Sequence, residues 1–212
     1  MVGGRELGCG RLTEILWIEP AAALVLGYLL GSIPFGLLLT ALVGGGDIRT
    51  VGSGNIGATN VLRSGRKWLA ALTLILDAAK GAVAVLIARE VSPDLVVLAA
   101  AGAFFGHLYP VWLRFKGGKG VATLLGITLA IHWPCGVVFI ATWLTVFALL
   151  RYSSVAGIAA AVVTPVSAAF WGEFELVMLF IAFALMVLWK HRANIERLLA
   201  GTEPRFGRSQ GG

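Results

Sequence analysis

The feature that most restricts this chain is a succession of apolar runs, each close in length to the hydrocarbon thickness of a bilayer. A helix crossing that layer needs roughly 20 apolar residues, with about 17 to 25 acceptable. Seven stretches meet or approach this, at residues 17–43, 68–88, 94–113, 118–132, 134–150, 154–171 and 174–190. The fourth to sixth are short, and Pro134 and Pro165 interrupt the pattern, so tilted, broken or re-entrant segments would leave five or six full crossings. Trp17, Trp68, Trp112, Trp133, Tyr152, Trp171 and Trp189 fall near the ends of runs, where amphipathic rings settle at headgroup level. Hydrophobic residues make up 58% of the chain and charged ones 13%, which excludes an ordinary soluble domain. The expected fold is all-α: a polytopic membrane protein of about seven transmembrane helices, forming one domain over 1–212.

Charge placement sets the expected orientation. The excess of 17 basic over 11 acidic residues does not point to nucleic acid, because the charges sit in short loops between apolar runs. With odd-numbered helices running inward, the inner segments carry Arg49, Arg63, Arg66, Lys67, Arg114, Lys116, Lys119, Arg151, Lys190, Arg192, Arg197, Arg205 and Arg208, and the outer ones only Arg5, Arg11 and Arg89. The positive-inside rule then predicts an N-terminus outside and a cytoplasmic C-terminus. Arg5 and Glu6 ahead of Arg11 and Glu14 do not make the basic cap of a cleaved signal, so the first run is expected to remain as a span. Cys9 and Cys135 offer neither a disulfide framework nor a zinc ligand set, and no internal repeat is evident.

Four polar features fall on the predicted inner side. The most distinctive is Phe115-Lys116-Gly117-Gly118-Lys119-Gly120-Val121-Ala122-Thr123. Glycines let successive N–H groups turn inward as an anion-binding nest, lysines add charge, and a helix starting near Val121 offers its N-terminus to the same anion. A Walker A loop would need Ser or Thr after Lys119, where Gly120 stands. The same composition also fits a flexible basic turn. A second loop, Asp47 to Arg63, carries Gly52, Gly54 and Gly57 for close backbone approach, Ser53, Asn55, Thr59 and Asn60 as donors, and Arg63 as a fork for phosphate. Its alternative is a turn-rich connector capped by its own side chains.

Arg151-Tyr152-Ser153-Ser154 opens the sixth run, with Ser153 or Ser154 as a helix cap or, more sharply, a substrate contact. The fourth feature, Lys190 to Glu203, places His191 and Asn194 three apart on one helical face; its plainer alternative is a basic juxtamembrane stop. His107 near the inner end of the third run is either a ligand contact or a histidine packed against a helix end. Asp77, roughly 14 Å beyond Trp68 at about 1.5 Å per residue, lies near midplane with Lys80 three residues on. Two charges at that depth are expected to pair and face the bundle interior, in a structural role or, as the alternative, in shaping the site.

Together these motifs resemble the bacterial membrane acyl-phosphate:glycerol-3-phosphate acyltransferase family. The resemblance runs from Gly31-Ser32-Ile33-Pro34-Phe35-Gly36, through Gly52-Ser53-Gly54-Asn55-Ile56-Gly57-Ala58-Thr59-Asn60 and Leu76-Asp77-Ala78-Ala79-Lys80-Gly81, to Gly106-His107, Phe115 to Thr123 and His191 to Leu198. It implies an essential Ser53 and Arg63, a glycerol-phosphate loop at Gly117, Gly118, Lys119 and Gly120 with Lys116 beside it, catalytic His191 and Asn194, and a structural Glu203. The family pattern Arg-Tyr-x-Ser-Leu-x-Ser is broken here by Val155 and Gly157, so the contact of its last serine has no counterpart.

The implied reaction moves a fatty acyl group from acyl phosphate to the sn-1 hydroxyl of glycerol 3-phosphate at the inner membrane, on the cytoplasmic side, with a monomer favoured. An acyl phosphate already carries a good leaving group, so direct attack suffices when both anions are held at near-attack distance. The sequence has no Gly-x-Ser-x-Gly elbow, and Trp112, Val137 and Glu196 stand where a His-x4-Asp acyltransferase would carry aspartate. Ser53 then reads as a positioning donor. No metal or cofactor is expected, because no acidic cluster faces the basic loops.

Overall fold

A computed structural model of the chain describes residues 9–50, 52 and 54–207. Ten α-helices account for most of them: α1 (Cys9–Gly31), α2 (Phe35–Leu42), α3 (Ala58–Arg63), α4 (Lys67–Val91), α5 (Val96–Leu108), α6 (Val121–Ile131), α7 (Trp133–Leu150), α8 (Ser153–Phe170), α9 (Phe174–Lys190) and α10 (Arg192–Leu199). Among the described residues five segments are long and apolar enough to cross a membrane, and six when α9 and α10, bent by 57°, count as one. The difference from seven lies in the fourth run. Its first residues are spent on the glycine loop, which leaves α6 only 11 residues, or about 16 Å of rise, too little for a crossing on its own.

The first run is interrupted rather than continuous. Pro34 lacks the N–H that would continue the helix, so α1 ends at Gly31 and α2 starts at Phe35. Carbonyls released at such a break need partners in a medium without water. Trp112 Nε1 donates to the Ser32 carbonyl at 2.7 Å and Lys80 Nζ to that of Ile33 at 2.8 Å.

Small residues let the helices approach closely, which is how packing substitutes for a hydrophobic drive inside lipid. Gly27 and Gly31 of α1 face the Ala99 and Ala103 carbonyls of α5, while Gly102 and Gly106 of α5 face those of Leu24 and Tyr28. A Cβ at Gly31 would stand 2.0 Å from Ala103 O, and one at Gly102 2.2 Å from Leu24 O. Gly31→Ala and Gly102→Ala are therefore each expected to destabilise the fold by about 1–3 kcal/mol, read as a lower Tm in detergent.

The half of α4 remote from Lys67 receives α6. A Cβ at Gly126 would clash with Ala78 O at 1.8 Å, and Arg89 Nη2 reaches Ile131 O at 3.1 Å. The start of α6 lies beside the middle of α4, where a Cβ at Gly81 would stand 2.6 Å from Thr123 O. Phe104, Phe139, Phe180 and Phe183 fill the core beyond it, with the Phe104 and Phe183 rings 4.3 Å apart. Outward-facing Leu42, Val91, Phe170, Phe174 and Met178 stay exposed, as a lipid-facing surface requires.

Candidate active site

The glycine loop doubles back along the end of α5. Its turn uses positive φ at Arg114 and Phe115, and Gly120 reaches φ +87° immediately before α6, a conformation glycine adopts without strain. Gly117 N–H donates to Leu108 O and Gly118 N–H to His107 O, so these two amides are closed to a ligand and the expected nest does not form from them. Neither glycine lines the cavity described below. The backbone places the open donors one step later: the amides from Lys119 to Thr123 bond to no described residue. These are the orphan groups of the α6 N-terminus, where the helix dipole favours an anion.

Around that terminus lies a cavity of about 240 Å³ with two kinds of wall. One is polar, with Asn55, Thr59, Arg63, Lys119, Ser153, Ser154 and Asn194. The other is apolar, including Leu74, Leu125, Phe139, Ile140, Trp143 and Leu144.

The polar wall is held by one carboxylate. Glu203, with 3% of its side chain exposed, accepts from Asn194 Nδ2 and Ser154 Oγ on Oε1, both at 2.7 Å, and from Arg197 Nε on Oε2 at 2.8 Å. Because Asn194 gives its NH₂ to Glu203, its Oδ1 is left to accept from Lys119 Nζ. A single relay thus joins the glycine loop, α8, α10 and the tail after α10. Burial alone would raise the Glu203 carboxyl, but the bonds from Asn194, Ser154 and Arg197 hold it below the ordinary glutamate range. Ser154 is therefore a buttress rather than a helix cap, since α8 has no side-chain cap bond.

Burial and the neighbouring cations shape the other ionisable groups. Desolvation, opposed by Glu203 and reinforced by Arg197, Arg63 and Lys190, lowers Lys119 to about 8. His191 is pushed down to about 4, first by burial and then by Lys119. Its Nδ1 lies 2.8 Å from Val187 O, which can only accept, so Nδ1 carries the proton and the neutral ring keeps a lone pair on Nε2. The Arg63 guanidinium, half-buried, lies over the Phe206 ring at 5.7 Å. Phe206 is itself fixed by its N–H on Arg151 O at 2.9 Å.

The remaining sequence candidates divide by position. Asn60 is buried and donates to Ile48 O at 2.9 Å, while Gly52, Gly54 and Lys116 are exposed and do not line the cavity. His191 is buried outside the lining. Ser53 lies outside the described residues. Asp77 and Lys80 form a buried ion pair at 2.7 Å, and Asp77 and His107 both line the cavity. Phe206 escaped the sequence reading, for nothing in the local pattern marks an aromatic residue in the tail as the support of an arginine far upstream. No group of three His, Cys, Asp or Glu side chains among the described residues can hold a metal ion.

An anion-binding helix terminus joined to an apolar wall is suited to a phosphorylated substrate that carries or receives a lipid chain. A family model described as glycerol-3-phosphate acyltransferase matches residues 21–201. The chain belongs to the glycerol-3-phosphate acyltransferase family. Among its relatives of that name, the one from Mesorhizobium japonicum is 57% identical over 185 residues, covering 87% of this chain and 95% of the relative. That from Caulobacter vibrioides is 53% identical over 203 residues, covering 94% and 93%. The crystal structure of PlsY (YgiH), an integral membrane glycerol 3-phosphate acyltransferase in its glycerol 3-phosphate form, superposes with a TM-score of 0.85 at 38% identity, covering 89% of this chain and 96% of that one. Its lysophosphatidic acid form gives 0.83 at 36% identity, covering 89% and 95%. The chain is thus an integral membrane acyltransferase acting on glycerol 3-phosphate, and the cavity is its candidate active site.

Proposed function

We propose that this acyltransferase takes its acyl group from acyl phosphate and delivers it to the sn-1 hydroxyl of glycerol 3-phosphate. The products are 1-acyl-glycerol 3-phosphate and inorganic phosphate, the opening step of phospholipid synthesis. One observation carries the reading: Arg63, Lys119 and the open amides at the start of α6 share a single cavity with an apolar wall that suits an acyl chain. Two phosphorylated molecules brought together there need cations and dipoles more than a nucleophile.

In the proposed step the sn-1 oxygen bonds to the acyl carbon, the bond from that carbon to the phosphate oxygen breaks, and phosphate leaves. The hydroxyl proton passes to a phosphate oxygen of the substrates. A His191 held neutral by burial fits a group that orients the acceptor together with Asn194. Lys119, Arg63 and the α6 amides stabilise charge developing on the carbonyl and phosphate oxygens, and Ser53 acts as a positioning donor without forming an ester. The enzyme works as one domain and as a monomer in the bacterial inner membrane, its cavity facing the cytoplasm and its product leaving into the inner leaflet.

Purified protein supplied with acyl phosphate and labelled glycerol 3-phosphate should form labelled 1-acyl-glycerol 3-phosphate. Product from acyl-CoA alone would overturn the choice of donor, and a trapped Ser53 ester would overturn direct transfer. The pH profile supplies a separate check. kcat/KM reports groups of the free enzyme, and Lys119 binds phosphate only while protonated. Activity should therefore be full below about pH 8 and fall as pH rises through that value, with Lys119→Arg moving the fall to higher pH.

A further inference from the structure

Asp77 and His107 line the cavity but have no part in the step just described. They are 2% and 4% exposed. Asp77 Oδ1 points into the protein, 2.7 Å from Lys80 Nζ and 3.8 Å from His107 Nδ1. Lys80 is anchored in turn on Ile33 O, so the carboxylate is braced from behind by the break in the first span.

Oδ1 and Nδ1 are the fully enclosed atoms of the pair. Asp77 Oδ2 and His107 Nε2 bond to no described residue, and both belong to residues that line the cavity. Gly118 packs close to Nε2, where a Cβ would lie only 2.2 Å away, so a larger residue there would crowd the imidazole. At 3.8 Å, Nδ1 is too far from Asp77 to donate, which leaves the imidazole proton free to sit on Nε2. The pair thus presents one acceptor and one donor set into a region with an apolar wall.

We propose that Asp77 and His107 form a hydroxyl subsite that holds the C2 hydroxyl of glycerol 3-phosphate, the hydroxyl that is not acylated. The chemistry of the substrates selects this group. A carboxylate repels phosphate, and an alkyl chain has nothing to offer a donor or an acceptor, so only the glycerol hydroxyls fit. The reacting hydroxyl must face the second phosphorylated molecule, which Asp77 would repel. The C2 hydroxyl donates to Asp77 Oδ2 and accepts from His107 Nε2–H. A site built to bond a hydroxyl rejects the analogue that lacks it, because its own buried groups are then left unpaired.

This subsite rests on the acyl-transfer reading above, and the test separates the two. With acyl phosphate as donor, glycerol 3-phosphate is compared with 3-hydroxypropyl phosphate, which lacks only the C2 hydroxyl. The unaltered enzyme should prefer glycerol 3-phosphate in kcat/KM by about 10- to 100-fold, the worth of a hydrogen bond to a charged group. Asp77→Asn and His107→Phe should each narrow that preference to within about threefold by weakening use of glycerol 3-phosphate selectively. Equal proportional losses on both acceptors would assign the pair a purely structural role and overturn the subsite, as would an unaltered enzyme indifferent to the C2 hydroxyl. His107→Phe leaves the Asp77–Lys80 ion pair in place, so the test stands if Asp77→Asn does not fold. No acylated product from either acceptor with the unaltered enzyme would sink the acyl-phosphate reading itself, and the subsite with it.

Discussion

Lys119→Ala is expected to lower kcat/KM for glycerol 3-phosphate by about 10²- to 10³-fold, the loss typical when one preorganised charge-stabilising donor is removed. Lys119 stands at the start of the run of open amides that leads into α6, and its ammonium is held on Asn194 Oδ1 in the polar wall of the cavity. Truncation leaves the helix terminus in place but takes away the charge proposed to bind phosphate and to stabilise the transferring oxygens. Stability should change little or improve, because the lysine sits where burial and neighbouring cations already oppose its charge. Initial rates over a range of glycerol 3-phosphate, with Tm measured in parallel, check both halves. An unchanged kcat/KM would remove Lys119 from the phosphate site.

Glu203→Ala is expected to damage both folding and activity. Its carboxylate is the common acceptor for Asn194, Ser154 and Arg197, and removing it strands two buried donors and a partly buried guanidinium. Breaking a buried charged pair on one side costs about 3–5 kcal/mol; since Arg197 is 36% exposed and water can take over part of its solvation, the lower end applies. Asn194 would also lose the bond that fixes which end of its amide faces Lys119, so activity should fall even under conditions where the variant remains folded. The pH dependence has a definite sign. Glu203 titrates below its unfolded value, so its contribution is fully present above the ordinary glutamate range and is lost as pH falls through the lower folded value. The difference in Tm between the unaltered protein and Glu203→Gln should accordingly shrink in acid, and a difference constant with pH would argue against the relay.

Which parts of this were readable in advance follows from the range of the interactions. Apolar runs and the helices they form depend on local composition, so the membrane-embedded, all-helical fold could be read directly from residues such as Trp68 to Ala88. The length of α6 could not, because residues 118–120 look like the start of an apolar run and become loop only when α5 offers carbonyls to Gly117 and Gly118. Lys119 and Arg63 were legible as candidate phosphate cations from their side chains alone, and the fold brings both to the cavity. The open amide donors begin only at Lys119 for the same reason that α6 shortened. The Ser154–Glu203 bond joins residues 49 apart, and no spacing rule connects the start of one helix to a tail beyond two others. Its physical cause is the polar demand of a buried carboxylate, which becomes visible only once α9 and α10 have brought Glu203 back over α8.

The position of Glu203 and Phe206 along the chain has a consequence for biogenesis. Both follow the described membrane-crossing helices, yet one braces Asn194 and Ser154 and the other supports Arg63. A nascent chain can therefore insert these helices while its pocket still lacks both braces, which form only once Glu203 and Phe206 have left the ribosome and packed back against the bundle.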